Sequence, residues 1–133
     1  MLQIPDTVRD RGSRYAASGG PVADRVALNA FLADLKCVKK FAKATHNSWA
    51  AVIAGEPFKD DDGEAGAAAV MLKMIQREAL TDHVIVVTRW YGGVNLGGDR
   101  FAHVVTSTRI YLQALKAGGI TGAFRSMTPG ALP

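Results

Sequence analysis

Thr88-Arg89-Trp90-Tyr91-Gly92-Gly93-Val94-Asn95-Leu96-Gly97-Gly98-Asp99-Arg100 joins the two strongest secondary-structure signals in the chain. Before it, Val84–Thr88 is an unbroken β-branched run, the pattern of a strand buried on both faces. After it, Phe101, Val104, Val105, Thr108, Tyr111, Leu112 and Leu115 recur at helical spacing, and Gly118-Gly119 closes the helix. Glycines in such a turn allow positive φ and close backbone approach, and the helix start offers unpaired N–H groups. Together with Arg89 and Arg100 these donors suit a phosphate or carboxylate. Trp90 and Tyr91 could stack on a base or fill a partner's pocket. Two facts oppose a nucleotide pocket: the spacing matches neither the P-loop nor the dinucleotide fingerprint, and Asp99 puts negative charge where a phosphate would sit. The plain alternative is a tight strand-to-helix turn with its aromatic residues packed inward.

Working outward, residues 1–12 read as an N-terminal arm with an edge strand at Leu2–Ile4, and Ser13–Ser18 as a short strand. Pro21 suits the first turn of a helix whose stripe is Leu28, Phe31, Leu32 and Leu35, ending near Cys37. Asn47–Ala54 reads as a second strand, Glu56–Gly63 as a polar loop and Glu64–Glu78 as a helix. Residues 118–133 read as an irregular tail of a single domain spanning 1–133. Alternating strands and helices argue for a parallel sheet. The second strand is apolar on both sides, so helices on one face only would leave an apolar patch unless the arm or tail covers it.

A chain of 133 residues, 48% hydrophobic, is large enough for one core without disulfide or metal support. Cys37 is the only cysteine and cannot form an internal bridge, which points to a reducing compartment. No apolar stretch is long enough for a membrane span, and the first residues lack the pattern of a secretory signal. The net charge of +4 is compatible with nucleic-acid, ribosomal or anionic-protein partners. It is concentrated in Lys36, Lys39, Lys40 and Lys43, which serve equally as a solvated helix end. The opposite pole, Asp60-Asp61-Asp62-Gly63-Glu64, lacks the ligand spacing of a calcium loop and reads best as capping of the following helix. Thr45-His46-Asn47 stands at a strand entrance with no nucleophile motif nearby, and His83 and His103 lie on other elements. Neither a metal site nor a cofactor follows from these residues, and no small-molecule substrate.

Taken in order, Asp10-Arg11-Gly12-Ser13-Arg14-Tyr15, Lys43-Ala44-Thr45-His46-Asn47, Asp61-Asp62-Gly63-Glu64 and the long turn resemble the Impact (YigZ) family. The most specific piece is Arg89-Trp90-Tyr91-Gly92-Gly93, then Leu96-Gly97, then Asp99-Arg100-Phe101, which is close to the eukaryotic form. The resemblance implies a two-layer α+β fold, a mixed four-stranded sheet with helices on one face, similar to domain IV of elongation factor G and to a ribosomal protein domain. It also implies work near translation: eukaryotic relatives restrain an amino-acid-starvation kinase and associate with ribosomes. Relatives carry an additional domain at one end or the other, for which this chain has no room. Ala68, Ala69, Gly98 and Ala102 depart from the family pattern, and Ala102 removes one positive charge from the turn.

Three functions are therefore weighed. The first is a non-catalytic module binding a ribosome, RNA or a translation regulator in the cytoplasm. Its expected contacts are Arg89, Trp90, Tyr91, Gly92, Gly93, Gly97, Arg100, His103, His46 and Asn47, with the lysine cluster as a basic patch. The second is a structural subunit of a large ribonucleoprotein, such as an organellar ribosome in the mitochondrial matrix. The third is a hydrolase built on Asp62, Glu64 and His46, which requires those side chains to converge.

Overall fold

The computed structural model describes residues 1–118. The expected irregular tail, beyond Gly118, lies outside the described residues. The chain opens with two long strands, β1 (Leu2–Asp10) and β2 (Ser13–Pro21), then two helices, α1 (Arg25–Cys37) and the short α2 (Lys39–Ala42). A second hairpin follows, β3 (His46–Ile53) with β4 (Glu56–Asp60), then α3 (Ala67–Arg77), β5 (His83–Trp90) and α4 (Asp99–Ala117).

Both hairpins close through two residues of positive φ, Arg11-Gly12 (46° and 85°) and Ala54-Gly55 (51° and 82°). That geometry matches the right-handed twist of the flanking strands. The N-terminal arm is therefore a full edge strand. The Glu56–Gly63 segment is likewise a strand as far as Asp60, because the Ala54-Gly55 turn folds it back along β3 in register from Ile53–Glu56 to Trp49–Asp60. Pro21 ends β2 rather than opening α1, whose N-cap is Asp24, with its carboxylate accepting from Ala27 N at 2.7 Å.

The sheet order is β1-β2-β5-β3-β4 and every neighbouring pair is antiparallel. The α+β class holds, but among the described residues the sheet has five strands rather than four, and no pair is parallel. β5 lies at the centre, and the alternation of its side chains sorts the core into two halves. Ile85 and Val87 meet Met71, Ile75, Tyr111, Leu112 and Leu115 of α3 and α4. Val84 and Val86 face the other way, onto Leu28 and Leu35 of α1 and Phe41 of α2. Helices thus cover both faces in three layers, not one face in two. The second face of the Asn47–Ala54 strand is covered by α1 and α2, so no apolar sheet face is left bare there. No helix among the described residues is long and apolar enough to cross a membrane.

Candidate functional site

Alternation along β5 sends its last two residues to opposite faces. Trp90 turns toward α2: its ring meets Phe41 edge-on at 5.2 Å, its Nε1 donates to the Lys40 carbonyl at 3.0 Å, and the Lys40 ammonium lies 5.0 Å over it. Lys36, Lys39, Lys40 and Lys43 are exposed on α1, α2 and the C-cap of α2, on the Trp90 side of the sheet. Asn47 shares that face and is buried with its amide in use, donating to the Phe41 carbonyl and accepting from Thr88 Oγ1. Asn47 is therefore a structural residue, whereas Trp90 packs on α2 while staying partly exposed. Cys37, the single cysteine, is exposed at the end of α1.

Arg89 faces the α3–α4 layer and is only 4% exposed. Its Nη1 donates to Glu64 Oε2 at 3.1 Å, and Glu64 is equally buried. A buried carboxylate needs compensation, and two arginines supply it, with a histidine ring beside them. Besides Arg89, Arg100 Nη1 stands 3.5 Å from Glu64 Oε1 and His46 Nε2 3.7 Å from Oε2. The ring is fixed from its other side, where Nδ1 donates to the Asp62 carbonyl at 2.8 Å. Arg100 is also held by donation from Nε to the Gly97 carbonyl, yet its side chain is half exposed. Two of the separated sequence motifs thus meet the long turn at a single carboxylate.

The other acids have different work. Asp61 caps α3, accepting from Gly66 N at 3.1 Å and Ala68 N at 2.9 Å. Asp62 accepts from Asn47 N at 2.7 Å and so clasps the acidic loop to β3. His46 and Glu64 do come together, but Glu64 is held by arginines and the Asp62 carboxylate by a backbone amide. No group of three or more metal-ligating side chains occurs among the described residues.

Around this centre the motifs interlock. Asp10 accepts from His103 Nε2 at 2.7 Å and from Arg11, whose guanidinium also pairs with Asp99. The Arg11 guanidinium first, and His103 second, hold the Asp10 carboxyl well below the usual range. The Asp99 charge that seemed to obstruct an anion is thus balanced by Arg11. Gly92 lies directly on the Gly12 backbone, where an added Cβ would fall 2.0 Å from the Gly12 carbonyl carbon, so any larger residue would part the two motifs. Gly92 N donates to Ser13 Oγ and Tyr91 N to Thr45 Oγ1. Tyr15 packs edge-on against His103 at 5.4 Å, and the Arg89 guanidinium lies 5.8 Å from the Tyr15 ring and 5.8 Å from the Tyr91 ring. Arg89 Nε and Tyr15 Oη are buried here without a partner among the described residues.

What the turn leaves outside is a cleft of about 420 Å³ lined by Thr45, His46, Arg89, Tyr91, Asn95, Leu96, Gly97 and Arg100. Gly93 and Gly97 adopt positive φ with open space at the Cβ position, so they shape the rim and do not pack. Thr45, Asn95 and Leu96 are not among the contacts the sequence points to. Only the polarity of Thr45 and the place of Asn95 and Leu96 inside the glycine-rich stretch could have hinted at them.

Fold and site together define a class: an antiparallel α+β domain whose glycine-rich turn is buttressed by a buried arginine–glutamate centre. The family described as the Impact N-terminal domain matches residues 11–112, and the chain belongs to it. The Protein IMPACT homolog of Caenorhabditis elegans is 36% identical over 112 residues, covering 78% of this chain and 44% of that protein. Protein IMPACT-A of Xenopus tropicalis is 37% identical over 117 residues, covering 84% and 37%. The chain thus spans less than half the length of these curated relatives. A solved structure described only as that of a hypothetical protein shares the fold, with a TM-score of 0.70 at 21% identity over 84% of this chain and 57% of that one. The two-domain translational regulator Yih1 is 31% identical over 84% of this chain and 44% of that one, with a TM-score of 0.49.

Proposed function

We propose that this chain is a non-catalytic binding module working beside the translation machinery, and that the outer side of the 89–101 turn is its contact surface. The observation that carries the reading is the exposure of Tyr91, Val94 and Phe101, each close to half, around the half-exposed Arg100. Large apolar side chains gathered on one stretch of surface are the usual sign of a partner site. Binding is favoured over hydrolysis because the acids that would serve as general base are engaged by arginines or backbone amides. The translational setting follows from family membership, with a ribosome or a regulator protein in the cytoplasm, or an organellar ribosome in the matrix, as the assembly served.

The test is co-sedimentation of the full chain with ribosomes over a salt series. Arg100→Ala combined with Phe101→Ser should remove most of the bound fraction, whereas association unchanged by both substitutions would refute the proposed surface. Arg89 is unsuitable for this test, since its loss would strand Glu64 in the interior. A stoichiometric complex that resists salt would instead mark a permanent ribonucleoprotein subunit.

A further inference from the structure

The cleft beside the turn has a charge pattern that restricts what can enter it. Arg100 and His46 front it, Thr45 adds a hydroxyl, and Tyr91 and Asn95 form one wall, joined by the Tyr91 Oη to Asn95 Oδ1 hydrogen bond at 3.2 Å. Behind them the buried Glu64 is already matched at shorter range by Arg89 (3.1 Å) than by Arg100 (3.5 Å). Arg100 is therefore the looser partner, and its exposed half can serve a second carboxylate without leaving Glu64 uncompensated.

From this we infer that the cleft holds one carboxylate of a partner protein, an Asp or Glu side chain in a segment whose apolar neighbours lie on Tyr91, Val94 and Phe101. A planar guanidinium binds carboxylate and phosphate alike, and the surroundings decide between them. A nucleic-acid strand is tracked by several unpaired cations in series. Here no lysine lines the cleft, one of its two arginines is buried against Glu64, and the large exposed side chains beyond it are apolar. A single negative charge embedded in an apolar segment suits that arrangement, and a polyanion does not.

The inference rests on the turn being the contact surface, but its test needs no ribosome, so the two can fail separately. The probes are the blocked tripeptide N-acetyl-Phe-Glu-Leu-amide, its Gln isostere and single-stranded oligouridine, each titrated into the isotopically labelled full chain while backbone amide resonances are followed. The Glu peptide should shift Thr45, Asn95, Gly97 and Arg100 and bind about tenfold more tightly than the Gln peptide. Arg100→Met should erase that difference, and Arg100→Lys should restore only part of it, because an ammonium lacks the planar fork. Equal binding of the Glu and Gln peptides would overturn the inference. So would shifts confined to other residues, the absence of shifts up to about 10 mM peptide, or oligouridine acting more strongly on the same amides.

Discussion

Arg89 shows how one residue can promise function in a sequence and deliver stability in a fold. Its place at the end of a buried run, ahead of four glycines, suggests a charge aimed at a partner, yet β5 alternation turns it inward onto Glu64. Arg89→Met should cost about 3 kcal/mol in urea unfolding, because removing one member of a buried ion pair leaves the other charge without adequate compensation. A loss under about 1 kcal/mol would mean that Arg100 and His46 suffice for Glu64, contrary to the geometry. Tyr15 makes the opposite case. Its hydroxyl is buried without a partner among the described residues, and burial pushes its pKa up to about 12. Tyr15→Phe removes an unsatisfied group and keeps the ring contacts to His103 and Arg89, so stability should stay level or rise by up to about 1 kcal/mol. A clear loss on denaturation would show that the hydroxyl has a bonding role.

At the scale of elements, two devices invite direct measurement. The β3–β4 hairpin places Ala54 at φ 51°, a left-handed conformation that disfavours a Cβ without a polar side chain. Ala54→Asn should raise the unfolding free energy by about 0.5–1 kcal/mol, since Asn-Gly is the preferred pair for such a turn. An unchanged melting temperature would count against strain at that turn. At α3, Asp61→Ala removes both acceptors for Gly66 N and Ala68 N and should cost about 1–2 kcal/mol. Amide exchange would show the loss concentrated in the first turn of α3. The elements themselves were largely legible, because long periodic stripes and β-branched runs survive any tertiary context. The exceptions have local causes. Glu56–Asp60 is too polar to signal a strand and becomes one as a solvent-side edge paired to β3. Phe101 fits the helical stripe numerically, yet it lies in the first turn of α4, beyond the reach of the core, and is half exposed.

The whole molecule carries a pH dependence written into its centre. His83, at the start of β5, is buried beneath α4 with its Nε2 2.7 Å from Tyr111 Oη, and burial lowers its pKa from 6.5 to about 4. Burial also raises that of Tyr111, so the phenol keeps its proton and pairs with the neutral imidazole. The unfolded chain binds a proton at His83 below about pH 6.5, and the folded chain does so only near 4. Stability from this group is therefore complete above pH 6.5 and declines as the pH falls toward 4, by up to about 3 kcal/mol. Urea midpoints taken between pH 7 and 4 should trace that decline, and His83→Gln should flatten it. A slope unaltered by His83→Gln would assign the loss to other groups.

By itself the sequence determined most of the strands and helices and the turn from Arg89 to Arg100 as the chain's signature, and through that signature its place among Impact proteins and the α+β class they imply. Hydrophobic period and glycine placement are local properties, readable over short windows. The tertiary structure alone decided that all five strands pair antiparallel and that helices cover both faces. It also decided which half of the turn faces solvent. Strand alternation flips each side chain by one residue, so the division of Arg89 and Trp90 between two faces depended on what β5 was sandwiched between. Glu64 became the common partner of His46, Arg89 and Arg100 only when chain closure brought together segments that are 18 to 36 residues from it. Such long-range pairing leaves no periodic trace in the sequence.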